Sequence, residues 1–183
     1  MLRSDPVNKI QPEDTELWAM AVLESTVDAV RFRVDGLRPD TLQERPVGFA
    51  LTMVDVISAL RRGEQAYNAA MRQAVKQDAP TLNTDFTSYP RIFIDRPFSE
   101  LGDFLHAREF SLGVLRNLPE AGWNRTINDP ERGTRTLEAL TVERAHNDRK
   151  QLALLEQMRH VMLQSTRPAD RSLTGGDRPD STR

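Results

Sequence analysis

Four stretches of this chain set apolar residues three and four positions apart, the spacing that puts side chains on one face of an α-helix, and each is bounded by proline or glycine signals or by polar sequence. The first stripe reads Met20, Leu23, Val27, Val30, Val34 and Leu37, with stop signals at Gly36 and Pro39, and predicts a helix over residues 15–36. The second reads Ala50, Met53, Ile57, Leu60, Glu64, Tyr67 and Met71, with Val54 and Val75 at its edge, and predicts a helix over 47–77. The third begins at Pro97, a residue suited to a first helical turn, and carries Phe98, Leu101, Leu105, Arg108, Leu112 and Leu115 before Pro119. The fourth, over 136–164, carries Leu137, Leu140, Arg144, Asn147, Gln151, Leu154, Met158 and Val161 on a heptad spacing. Helices with one apolar stripe each bury those stripes against one another, so the expected fold is an all-α four-helix bundle.

The connections are uneven. Residues 78–97, DAPTLNTDFTSYPRIFIDRP, hold three prolines and no helical period, an unusually long link between the second and third helices. Such a link either borders a site or crosses the long axis of a bundle. The stretch PEAGWNRTINDPERGTR from Pro119 to Arg135 is rich in turn formers and is expected to be a loop anchored by Trp123. Polar sequence at both ends gives the expected organisation: a flexible N-terminus over 1–14, a bundle over 15–164, and a disordered tail over 165–183 whose only large apolar residue is Leu173.

A chain of 183 residues with 38% hydrophobic and 28% charged side chains has the material for one packed domain. Its 25 basic and 27 acidic residues are spread along the whole length, which leaves no positive field for a polyanion and argues against nucleic acid as a partner. Cysteine is absent, which excludes disulfides, thiolate catalysis and thiolate-bound zinc, and agrees with a cytoplasmic protein. No run approaches eighteen apolar residues and the first residues lack a signal-peptide core, so no membrane association is expected. No Gly-x-Ser-x-Gly element and no glycine-rich phosphate loop stands in the predicted helical body. The three histidines, His106, His146 and His160, share no face at a spacing of four and do not form a metal-ligand set.

What marks the chain is polar residues where the stripes call for apolar ones. Arg144, Asn147 and Gln151 occupy consecutive stripe positions on the fourth helix, Glu64 interrupts the second and Arg108 the third. Unpartnered polar groups in a core cost about 1–3 kcal/mol each, so these residues imply a hydrogen-bonded network, a hydrated pocket or a helical phase displaced by one position. In a pocket, Asn147 and Gln151 would hold a ligand or water through their amides, Arg108 and Arg144 would suit a small anion, Glu64 would balance their charge, and the Tyr67 hydroxyl could face the same space.

In layout the chain resembles the DinB/YfiT-like superfamily of four-helix bundles. ISALRRGEQAYNAAM on the second helix is similar to the family segment in which a ligand histidine is followed by an acidic residue and an aromatic. FSELGDFLHAREFSLGVLRNLPEAGWNRT resembles the family's long helix ending in Leu-Pro and a Trp, and NDPERGTRTLEALTVERAHNDRKQLALL its closing loop and last helix. The likeness spans residues 16–162, and implies a divalent-metal site of three histidines and membership among thiol-dependent transferases, isomerases or hydrolases. The family's last-helix pattern His-Asp-Arg-Glu-His-Leu falls on NDRKQL, which places Asn147 and Gln151 at two ligand positions and Ala59 at the third. Two amides and an alanine make a poor site for zinc or nickel. The expectation is therefore a degenerate centre with no cofactor, in a homodimeric module that takes a small anionic ligand or associates with itself. The alternative is a family-type enzyme using zinc, nickel or manganese.

Overall fold

In the computed structural model, residues 15–84 and 97–165 are described, and they contain all four expected long helices. The expected flexible segment 1–14 and the tail beyond Ser165 lie outside the described residues.

Helix α1 (Glu16–Val34) starts where the Thr15 side chain accepts a hydrogen bond from the Trp18 backbone N–H, and its chain turns away just before Gly36, whose φ of 75° is left-handed. A short helix, α2 (Pro39–Gln43), occupies part of the connection between α1 and the next long helix. Helix α3 (Met53–Lys76) begins six residues later than the apolar spacing suggests. The cause is local: Thr52 Oγ1 accepts from the Asp55 N–H at 3.1 Å and the Asp55 carboxylate accepts from the Thr52 N–H at 2.8 Å, a reciprocal cap that fixes the first turn. Ala50, expected on the stripe, lies before this cap and is exposed.

Helices α4 (Pro97–Arg116) and α6 (Leu137–Ser165) match their expected ranges. The segment between them is not a plain loop. It forms a helical turn, α5 (Glu120–Trp123), and an antiparallel ribbon of β1 (Thr126–Asp129) and β2 (Gly133–Thr136). Asp129 makes the turn by accepting from the N–H groups of Glu131 and Arg132, and Gly133 follows with a φ of 77°. Ile127, fully buried, anchors the ribbon together with the half-buried Trp123.

Contacts between side chains give the helix directions. Trp18 and Arg33 of α1 meet His146 and Glu156 of α6, so these two helices are parallel. Arg61 and Glu64 of α3 meet Glu100 and Arg108 of α4, so this pair is parallel too. Tyr67 of α3 meets Thr141 of α6 while Leu60 meets Arg144, an antiparallel pairing. The order is thus up, down, down, up. Parallel α3 and α4 require a connection that returns over the bundle's length, about 30 Å at 1.5 Å per residue, which the long 78–97 link has the residues to span.

The core is in two apolar blocks. One gathers Leu23, Tyr67, Met71, Leu115, Ile127 and Leu140, and the other Val30, Met53, Ile57, Leu60, Phe104 and Met158. Between them lies a layer of charge.

Candidate functional site

Glu64 on α3, Arg108 on α4, and Arg144 and Asp148 on α6 form this layer, and all four side chains are fully inaccessible to solvent. Glu64 Oε2 accepts from Arg108 Nη2 at 2.7 Å and from Arg144 Nε at 3.2 Å. Asp148 Oδ2 accepts from Arg108 Nη1 at 2.6 Å, and its Oδ1 lies 3.1 Å from Arg144 Nη2. Two carboxylates and two guanidiniums therefore alternate in a closed, electrically neutral ring. Helix α1 joins through the Leu23 carbonyl, which accepts from Arg108 Nη1 at 3.1 Å, and the Leu60 carbonyl accepts from Arg144 Nη2 at 2.9 Å. All four long helices are tied at one level.

A rim of neutral groups completes the ring. The Ser111 hydroxyl sits against Glu64 Oε1 and 2.6 Å from Asn68 Oδ1, while Asn68 Nδ2 donates to the Ala107 carbonyl at 2.9 Å. One turn along α3, the Tyr67 hydroxyl lies 2.7 Å from that of Thr141, which donates to the Leu137 carbonyl. Burial pushes the Glu64 carboxyl up, but Arg108 and Arg144 outweigh it and hold the group below its ordinary value. Burial likewise works against the charged Arg108, and Asp148 and Glu64 reverse it, raising the guanidinium's pKa. Burial raises the Tyr67 phenol, which stays neutral.

Of the six residues singled out in the sequence, the structure brings Glu64, Arg108 and Arg144 together and sets Tyr67 beside them. Asn147 and Gln151 are half-buried and take no part in the ring. The buried acid of α6 is Asp148, one position from Asn147, so of the three readings of the polar stripe the network and the one-residue phase shift both hold. Asp148, Ser111 and Asn68 carried no signal in the stripes, although Asp148 stands inside the NDRKQL segment.

The residues at the three positions that the resemblance sets against metal ligands do not fit zinc or nickel. Ala59 offers no donor, Asn147 and Gln151 offer amides, and the nearby core carboxylates are each held by two arginines, whose charge opposes a cation. Among the described residues no group of three or more His, Asp or Glu side chains is placed to hold a metal ion. His146 packs on the Trp18 ring, His160 lies 2.7 Å from Gln164 Nε2, and His106 is exposed.

The bundle as a whole superposes on a solved structure. The fold is that of YfiT. The YfiT structure from Bacillus subtilis superposes with a TM-score of 0.64 over 85% of this chain and 93% of its own, at 16% sequence identity. That protein is described as "a probable metal-dependent hydrolase with an unusual four-helix bundle topology". At this identity the YfiT likeness establishes the fold alone. No protein-family model matches the chain, and no curated protein matches it in sequence. Among the described residues no helix is long and apolar enough to cross a membrane.

Proposed function

We propose that this chain is a YfiT-like bundle that works without a metal, as a binding module for a small molecule, instead of catalysing metal-dependent hydrolysis. The observation that supports this reading is the charge ring: the acids and arginines of the bundle interior neutralise one another, and the side chains at positions 59, 147 and 151 supply no imidazole. A guanidinium ring of this kind does the cross-linking of helices that a bound cation could otherwise do, and its positive members repel a cation.

Self-association is the second reading, favoured by Leu17 and Phe32, which expose 78% and 66% of their surface on α1. A cytoplasmic homodimer with no nucleic-acid partner is part of the same proposal. The competing function is a metal-dependent enzyme, supported by what is said of YfiT.

Elemental analysis of untagged protein, with melting curves in added zinc, nickel and manganese, separates them. Trace metal and unchanged melting are expected. A stoichiometric metal, or a clear metal-dependent rise in melting temperature, overturns the metal-free reading.

A further inference from the structure

We infer that the groove between α3 and α4, on the outer side of the bundle, is a binding site for a small carboxylate, with Arg72 as its anion-binding group and Phe110 as its apolar wall. The proposal deepens the small-molecule reading above and rests on it, but moves the ligand from the interior to this groove.

The groove has a volume of about 270 Å³, and its walls carry Gln65, Asn68, Ala69 and Arg72 from α3 and His106 and Phe110 from α4. The spacing is helical on both sides, so two parallel faces confront each other across a gap that Ala69 leaves open. Among the described residues no aspartate or glutamate lines it. In a chain with more acids than bases, a lining of one guanidinium, one imidazole and two amides is a local reversal of charge.

The arginine decides the matter. In the neighbouring groove between α1 and α4, Arg116 is paired with Glu24 and Arg31 with Asp28. In the groove beside α5, Arg125 donates to the Ala74 and Val75 carbonyls at the end of α3. Among the described residues Arg72 has neither a carboxylate nor a carbonyl partner, and its guanidinium stacks over the Phe110 ring, 4.1 Å from the centroid. Stacking holds the plane of the group while leaving its edge N–H donors free for a two-oxygen acceptor, the arrangement that suits a carboxylate. The floor is rigid as well, because Asn68 is clamped between the Ala107 carbonyl and Ser111, which in turn abuts the charge ring. The volume is small for a ligand site and suits a compact acid with one ring or a short chain lying on Phe110.

Benzoate is the probe. Titrated at constant ionic strength into the full chain labelled with nitrogen-15, it is expected to give saturable shifts centred on Arg72 Nε, Ala69, His106 and Phe110, with a dissociation constant of about 1–5 mM. Acetate, which lacks the ring, is expected to bind several-fold more weakly, and inorganic phosphate to leave Phe110 unmoved. Arg72→Gln, at an exposed position, is expected to weaken benzoate about tenfold while its melting temperature stays unchanged. Shifts that do not saturate, that scatter over the surface, or that persist unchanged in R72Q overturn the site. The metal measurements above separate the two failures: a failed benzoate titration with a metal-free protein removes the groove alone, whereas a bound metal removes the module reading and with it the groove's role as that module's site.

Discussion

Arg108 Nη1 and Asp148 Oδ2 face each other at 2.6 Å with neither side chain reaching solvent. The contact closes the ring across the bundle interior, between the diagonal helices α4 and α6, and it makes Asp148, not its neighbour Asn147, the residue on which the polar layer depends. Removing one partner from such a layer strands a charge in the core, which costs about 3–5 kcal/mol.

Asp148→Asn is therefore expected to lower the unfolding free energy by about 3 kcal/mol in urea titrations. Asn147→Ala and Gln151→Ala, at half-buried positions outside the ring, are expected to change it by less than about 1 kcal/mol. Equal losses at all three positions would place the network on the wrong face of α6.

The same comparison shows what the sequence could and could not reveal. Arg144, Glu64 and Arg108 were legible because each interrupts a run of apolar residues in a register that the helix keeps over short distances. Asp148 was not, because a heptad stripe steps three residues on from Arg144, to Asn147, whereas the buried face of α6 steps four each time from Leu140 to Arg144 to Asp148. The buried residues of that helix are Leu137, Leu140, Thr141, Arg144, Ala145, Asp148, Leu155, Met158 and Met162. Phe104 on α4 is displaced in the same way, buried where Leu101 and Leu105 are only half-buried. Ser111 and Asn68 gave no signal, since a small polar residue is ordinary on a helix until its partner across the core is known. The β-ribbon escaped because its two four-residue strands are mostly polar and hold one fully buried side chain, Ile127, too little for a period.

The ring is stabilising only as a complete set. Arg108 Nε and Arg144 Nη1 are buried with no hydrogen-bond acceptor among the described residues, a cost of about 1–3 kcal/mol each that the ion pairs must offset. Replacing all four members at once by apolar residues of similar size, Glu64→Met, Arg108→Met, Arg144→Met and Asp148→Leu, removes the charges and the orphans together. The quadruple variant is expected to lose less stability than Asp148→Asn alone, and to unfold with the same dependence on urea. A loss near the sum of the four single changes would mean the ring contributes net stability pair by pair.

Acid should loosen the protein through Glu64. Its carboxyl is held below the ordinary glutamate value of 4.5, so the folded state binds this proton less tightly than the unfolded chain. The contribution is fully present above that value and is lost as pH falls through the lower folded-state value. Asp129, lowered chiefly by its hydrogen bond from Thr84, adds a loss of the same sign in strong acid. Melting temperatures measured from pH 7 down to pH 2 are expected to fall most steeply below about pH 4.5. In Glu64→Gln, which is less stable throughout, the fall should be shallower. An unchanged slope in that variant would assign the acid sensitivity to other carboxylates.

If the chain is a YfiT-like bundle whose ligand positions hold other residues, histidines at those positions should restore a metal site. Ala59, Asn147 and Gln151 are all half-buried, so imidazoles can be accommodated there without entering the closed core. Residues 147 and 151 stand one helical turn apart on α6, the spacing that lets two side chains share one ion. The triple variant Ala59→His, Asn147→His and Gln151→His is expected to bind zinc or nickel near one per chain. At a hundredfold excess over the dissociation constant, binding should add about 2.7 kcal/mol to stability, seen as a higher melting temperature that a chelator reverses. Because Arg108 and Arg144 lie close behind residue 147, the affinity should rise when Arg144→Met is added to the triple variant. Metal binding unaffected by that change would mean the ring's field does not reach the site; no binding in either variant would show that these three positions do not converge.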